Sequence, residues 1–292
     1  MLWQSFINGV AAGGAYALVA LGFGLIFQAC RFFHFAHGGV YAVAAYLTYF
    51  FMHLHGWSWW TAFPSATLGA ALFGAGLDAS VYRQLRRRSA SSLVLLIASL
   101  GLLVAIQNCL SLAFGDATLT LRSGTVLEGV ALAGARITEI QILTVGTGVL
   151  LPFCLWLCLQ HSTWGKMTRA VSSDSELSSV IGIDRDLIIC QTFAVGSGLA
   201  AVAAILIGYD TDLTPSMGFR ALLMGVVAVI VGGVGSMPGA VVGGLLVGMA
   251  QHLGVWILPT QWQDAIVFVV LITFLCIRPH GFLGTPLTKL RV

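Results

Sequence analysis

Charge is scarce in this chain. Only 9% of its 292 residues are Asp, Glu, Lys or Arg, whereas 58% are hydrophobic and the mean hydropathy is +0.93. A water-soluble globule of this size cannot hide so much apolar surface, so the chain belongs in a bilayer. The apolar runs hold almost no carboxylates, which leaves an intramembrane proton relay without groups to continue it. No H-E-x-x-H, no G-x-S-x-G and no carboxylates paired at helical spacing occur, so an intramembrane enzyme has no persuasive nucleophile and base. Cys30, Cys109, Cys154, Cys158, Cys190 and Cys276 contain no C-x-x-C pair; most sit in apolar runs, where cysteine behaves as a small hydrophobe. Cys154 and Cys158 share a helix face and are expected to pack together rather than to hold a metal. The opening MLWQSFINGVAAGG lacks the basic region of a signal peptide and is expected to enter the first span uncleaved. A net charge of +3 is too small and too dispersed to argue for nucleic acid.

Long apolar runs are abundant instead. At about 20 residues per spanning helix, the length allows roughly eight or nine spans and no separate soluble domain. Candidate spans lie near 4–28, 36–54, 57–77, 92–115, 140–160, 188–208, 219–233, 238–257 and 263–279, the seventh short enough to be re-entrant. These runs are continuously apolar and rich in Gly and Ala, unlike the short alternating strands of a barrel. The fold class is therefore all-α: one polytopic membrane domain over 1–292 with eight or nine transmembrane or re-entrant helices.

The basic residues orient it. If every run crosses, all of the 14 Lys and Arg except Arg122, Arg136 and Arg220 fall on one side. That side includes Arg31, the arginines of YRQLRRR at 82–88, Lys166, Arg169, Arg185, Arg278, Lys289 and Arg291. Such a bias marks the cytoplasmic face and puts the N-terminus outside and the C-terminus inside.

Glycine numbers 35. Small residues let helix backbones approach in lipid, and Gly13, Gly14, Gly22 and Gly24 have spacings that suit tight crossings; packing and pathway lining are both open to them. His34 and His37, in RFFHFAHGGVYAVAAY, lie three apart on one helix face. That is half of a metal site at most, and no neighbouring Asp, Glu or Cys completes it. Asn8, Gln107 and Asn108 sit in spans as helix glue or as pathway lining. Asp210 and Asp212, in GYDTDLTPSMGF, look like a solvated turn at a span end.

Between the fifth and sixth runs comes GKMTRAVSSDSELSSVIGI. Met167, Ala170, Val171, Leu177, Val180 and Ile181 can form an apolar stripe while Ser172, Asp174 and Glu176 face elsewhere. A short helix ending at Gly182 would lie at the membrane interface or dock in a groove of a partner.

Taken together, several segments resemble the permease subunits of ABC importers for branched-chain amino acids and related small polar solutes. They are NGVAAGGAYALVALGFGLIF at 8–27, FHFAHGGVYAVAAY at 33–46, YRQLRRR with SLVLLIASLGLLVAIQN at 92–108, the 165–183 segment, and VIVGGVGSMPGAVVGGLLVGMAQ with IRPHGFLG. The resemblance runs almost end to end. It implies that two related permease chains form the pathway, two cytoplasmic ATPases drive it, and a periplasmic or lipid-anchored binding protein delivers solute. This bacterial inner-membrane subunit would bind no cofactor itself, with ATP and Mg on the ATPases. The family motif reads Asn-Phe-Ala-His-Gly followed by an acid, so His37 and Gly38 match it, whereas His34 replaces the Asn and Gly39 the acid. Both changes are expected near the pathway, where loss of the acid would favour a neutral or anionic solute.

The resemblance marks Asn8, Tyr16, His34, His37, Tyr41, Gln107 and Asn108 as candidate pathway residues. It also marks Gly165, Arg169, Ala170, Ser173, Glu176 and Gly182 as candidates for coupling to the ATPase, on a coupling helix. Neutral or branched-chain amino acids lead as solutes, followed by urea or short amides. An autonomous channel is the reading of another class, although a channel needs no amphipathic cytoplasmic segment.

Overall fold

The computed structural model describes residues 2–122, 129–132, 135–256 and 258–284. Lys289 and Arg291, assigned above to the basic side, lie outside the described residues. Among these residues the chain forms twelve α-helices and one short β-hairpin. Helix α1 (Leu2–Cys30) is followed by α2 (Ala36–Tyr49), which runs on into a π-helical turn at Phe50–Leu54. Helix α3 (Trp59–Leu77) continues through a second π-helical turn, Asp78–Tyr82, into α4 (Arg83–Arg87). Then come α5 (Ser92–Phe114), the hairpin β1 (Val130–Leu132) and β2 (Ala135–Ile137), and α6 (Glu139–His161). Two short helices, α7 (Thr163–Ser173) and α8 (Ser175–Val180), lead to α9 (Arg185–Asp210). The chain closes with α10 (Met217–Gly232), α11 (Met237–Gly254) and α12 (Gln263–Ile277).

The helical runs coincide with the apolar runs of the sequence, and the molecule is an all-α polytopic membrane protein. By length and composition five described helices are able to cross a membrane, or six if α10 and α11, bent by 119° at their junction, are taken as one span. Among the described residues the hairpin is the one sheet, pairing Val130 with Ile137 in antiparallel register, and an isolated antiparallel bridge joins Leu119 to Leu213.

Six helix starts are fixed by side chains that accept a hydrogen bond from otherwise unpaired first-turn amides. Ser91 caps α5, Thr138 and Gln141 form a capping box on α6, Asp184 caps α9 and Ser236 caps α11. Helices α2 and α10, like α3, α4 and α12, begin without such a cap. Their N-cap residues, Phe35 and Ser216, make no side-chain cap, and both helices start inside the bundle. His37, in the first turn of α2, has its ring against Gly22 of α1, and Gly22 precedes the last residue of α1 by eight positions, about 12 Å along the axis. The chain therefore turns back into the bundle after Cys30 before α2 begins.

Two close crossings organise the core. A Cβ on Gly196 of α9 would stand 2.8 Å from the Gly22 carbonyl oxygen, and a Cβ on Gly22 would strike the Gly196 oxygen. Gly38 of α2 and Gly218 of α10 oppose each other in the same reciprocal way. Helix α1 also packs along α11, and α9 along α3. These contacts bring α1 against α9 and α2 against α10 backbone to backbone, the close approach that small residues permit between helices in lipid. Helices α1 and α9 are the buried centre, while α5, α6 and α12 are peripheral and expose most of their apolar side chains. Cys154 and Cys158 lie on the exposed face of α6 rather than packed within the chain.

Candidate functional site

A polar cavity of about 430 Å³ opens at the end of the bundle where α1 starts and α9 ends. Its polar lining includes Asn8, Gln141, Asp210, Asp212, Arg220, Gln251, His252 and Gln263, and Ala11, Ala12, Ala221 and Met224 are among its apolar residues. Tyr16 and Tyr41 also line it. The volume falls within the range of small-molecule sites, about 300–1,000 Å³.

One hydrogen-bonded chain crosses this cavity from helix to helix. The Tyr16 hydroxyl of α1 donates to Gln251 Oε1 of α11 at 2.7 Å. Gln251 Nε2 donates to Asp264 Oδ1 of α12 at 3.1 Å, and Arg220 Nη2 of α10 donates to the same oxygen at 2.9 Å. Gln251 is almost wholly buried, so both halves of its amide are used, as burial of a polar group requires. At the rim, Asn8 Oδ1 accepts from Gln4 at 3.1 Å and from Gln141 at 3.4 Å, joining α1 to α6.

Of the seven pathway candidates, the structure brings Asn8, Tyr16 and Tyr41 together in this cavity. His34 and His37 are buried away from it, their ring centroids 5.9 Å apart. The His34 ring stands edge-on to Tyr82 at 5.1 Å and to Phe193 at 4.9 Å. Gly39 is likewise elsewhere, since a Cβ there would meet Ile106 of α5 at 2.8 Å. The two departures from the family motif are therefore packing positions in this chain and not part of the cavity wall. On the outward face of α5, Asn108 is exposed and donates to its own helix at the Val104 oxygen; neighbouring Gln107 is half-buried and also outside the cavity.

Sequence reasoning missed Gln251, Arg220 and Asp264, which only the fold assembles. A polar side chain within the glycine-rich α11 run was the available signal, because intramembrane polar groups are expensive and mark function. Asp210 was read as part of a solvated turn; it is the last residue of α9 and lines the cavity. Asp212 also lines the cavity; it is exposed and lies 3.6 Å from Arg122.

The opposite end of the bundle gathers arginines. Asp186, at the start of α9, accepts from Arg83 Nε at 2.9 Å and Arg87 Nη2 at 3.1 Å. Arg86 pairs in bidentate fashion with buried Asp78, at 2.6 and 3.2 Å. Arg31 Nη2 donates to the Ser172 oxygen at 2.8 Å, fastening α7 to the end of α1.

The segment expected as one amphipathic helix is two. Asp174 ends α7 in an extended conformation, and its carboxylate accepts from the amides of Glu176 and Leu177 at 3.0 and 2.9 Å, starting α8. A short acidic side chain competes for backbone amides in this way. The apolar stripe divides accordingly, with Val171 buried against the bundle and Leu177, Val180 and Ile181 exposed. Gly165 is buried in the α6–α7 turn, where Arg169 bonds the Leu159 oxygen. Ala170 is half-buried, Ser173 and Glu176 are exposed, and Gly182 closes the segment at φ +89°.

An all-helical bundle of apolar helices around a polar cavity is the architecture of a membrane permease. The family model of the branched-chain amino acid transport system permease component matches residues 5–275, and the chain belongs to that family. It is 33% identical to the high-affinity branched-chain amino acid transport system permease protein BraD of Pseudomonas aeruginosa, over 97% of this chain and 96% of that one. Identity to the corresponding permease protein LivH of Escherichia coli K12 is 32% over the same shares. A probable branched-chain amino acid transport permease protein, LivH of Methanocaldococcus jannaschii, is 24% identical over 94% of this chain and 90% of its own. No solved structure matches.

Proposed function

We propose that the chain is the single-domain membrane subunit of an ATP-driven importer for neutral, chiefly branched-chain, amino acids. The observation that carries this is the division of labour between the two ends: a polar cavity at one, and at the other an arginine-rich surface bearing α7 and α8 with Leu177, Val180 and Ile181 unpartnered. The arginine-rich end is cytoplasmic by the positive-inside rule, so the cavity faces the outside of the bacterial inner membrane, as does the N-terminus. A second, related permease chain completes the pathway, and a binding protein delivers solute to the open cavity. Two ATPases carry the ATP and Mg, one of them docking on α7 and α8 of this chain; this chain binds no cofactor and performs no chemistry. ATP binding moves these helices only if it alters their contacts between two states. The names of the relatives support the amino-acid assignment.

Affinity purification of the tagged chain from its native membrane in mild detergent, followed by mass spectrometry, tests the assembly. Two ATPase chains and a related permease are expected to accompany it. Recovery of the chain alone, in a form that passes solute without ATP, would establish a channel instead.

A further inference from the structure

Asp210 stands out among the acidic groups of the structure. It is half-buried in the cavity wall and has no hydrogen bond or ion pair among the described residues. It also ends α9, where the helix dipole is negative and a carboxylate is unfavourable. A carboxylate held in such a place invites a cation. The same cavity is lined by Arg220, whose guanidinium has spent one nitrogen on Asp264 and keeps further N–H donors free for an anion. Asp264 is itself fixed by Gln251, which Tyr16 holds in turn, so Arg220 is anchored from below by a chain that reaches three other helices. The same lining includes an apolar set, Ala11, Ala12, Ala221 and Met224.

We infer that this cavity is a binding site for the zwitterion of an aliphatic α-amino acid, with Asp210 accepting the ammonium, Arg220 donating to the carboxylate and the apolar wall receiving the side chain. The inference rests on the importer reading and deepens it: the permease itself inspects both ends of the solute's backbone after the binding protein has released it. Neutral amides such as urea satisfy neither charge, so the site disfavours them.

The test uses the complete permease–ATPase complex in nanodiscs, without binding protein, and measures weak binding by saturation-transfer NMR. Three probes separate the two charges: leucine, 4-methylpentanoate (no amine) and 3-methylbutylamine (no carboxylate). Asp210→Asn is expected to weaken leucine about tenfold, the effect of one charge-assisted hydrogen bond, and to leave 4-methylpentanoate unchanged. Arg220→Gln is expected to weaken leucine and 4-methylpentanoate while sparing the amine, and Arg220→Lys to retain part of the binding. Undiminished leucine binding in Asp210→Asn, or equal loss of leucine and 4-methylpentanoate in that variant, would overturn the site. Absence of leucine binding to the wild-type complex would do the same. ATP-driven import of protein-delivered leucine by that same complex would still leave the importer reading standing, whereas its failure there would remove that reading independently.

Discussion

At Gly22 the whole fold depends on a missing methyl group. Its α-carbon faces the Gly196 backbone, whereas two residues on, a Cβ at Gly24 would meet only Val229 Cγ2, at an ordinary 3.8 Å. Overpacking a close crossing costs about 1–3 kcal/mol. Gly22→Ala is therefore expected to lower the thermal unfolding midpoint of the purified protein, and Gly24→Ala to leave it nearly unchanged; equal effects would remove the crossing from the account. The Asp78–Arg86 pair makes a second residue-scale prediction. Asp78 is fully buried and Arg86 nearly so, and removing one partner of a buried pair costs about 3 kcal/mol or more. Asp78→Asn should destabilise clearly, while Asp212→Asn, at an exposed pair with Arg122, should cost under about 1 kcal/mol. Thermal unfolding in the same detergent compares the two. The sequence carried both crossing glycines as part of a glycine-rich pattern, but the pattern could not say that Gly22 meets backbone while Gly24 does not. That distinction comes from the partner helix, not from the run itself.

Elements were legible where their signal is local. Continuous apolar runs and capping residues such as Thr138 with Gln141 or Ser236 mark helices and their starts without reference to the rest of the chain. Depth is not local: hydropathy finds α2 and α10 but cannot say that they begin inside the bundle, since the turn back after Cys30 is fixed by contact with α1. The amphipathic segment shows a related limit. Its apolar residues fit one stripe on one helix, yet Asp174 divides it and sends Val171 inward and Leu177 outward. Leu177→Asp together with Val180→Asp should then abolish recovery of the ATPases with the permease, because both side chains are exposed on α8, and should leave the unfolding midpoint in place. Retained association would move the docking surface elsewhere. Gly182 adopts φ +89°, so Gly182→Val strains the turn that sets the direction of α8, and is expected to uncouple ATP hydrolysis from uptake rather than to release the ATPase.

Across the whole molecule, the polar cavity and the arginine-rich surface lie at opposite ends of the central helices α1 and α9. Between those ends the pairs Gly22–Gly196 and Gly38–Gly218 hold α1 against α9 and α2 against α10. Asn8, Tyr16 and Tyr41 were identifiable in the sequence as polar groups within apolar runs. Their partners were not, because Gln251, Asp264 and Arg220 come from three other helices and acquire their roles only on assembly. Reconstitution of the full importer in proteoliposomes tests the central claim most directly. With ATP inside and leucine-loaded binding protein outside, leucine should accumulate against its gradient and stop accumulating when ATP is withheld. Uptake that proceeds equally without ATP, or that only equilibrates leucine across the membrane, would contradict the account.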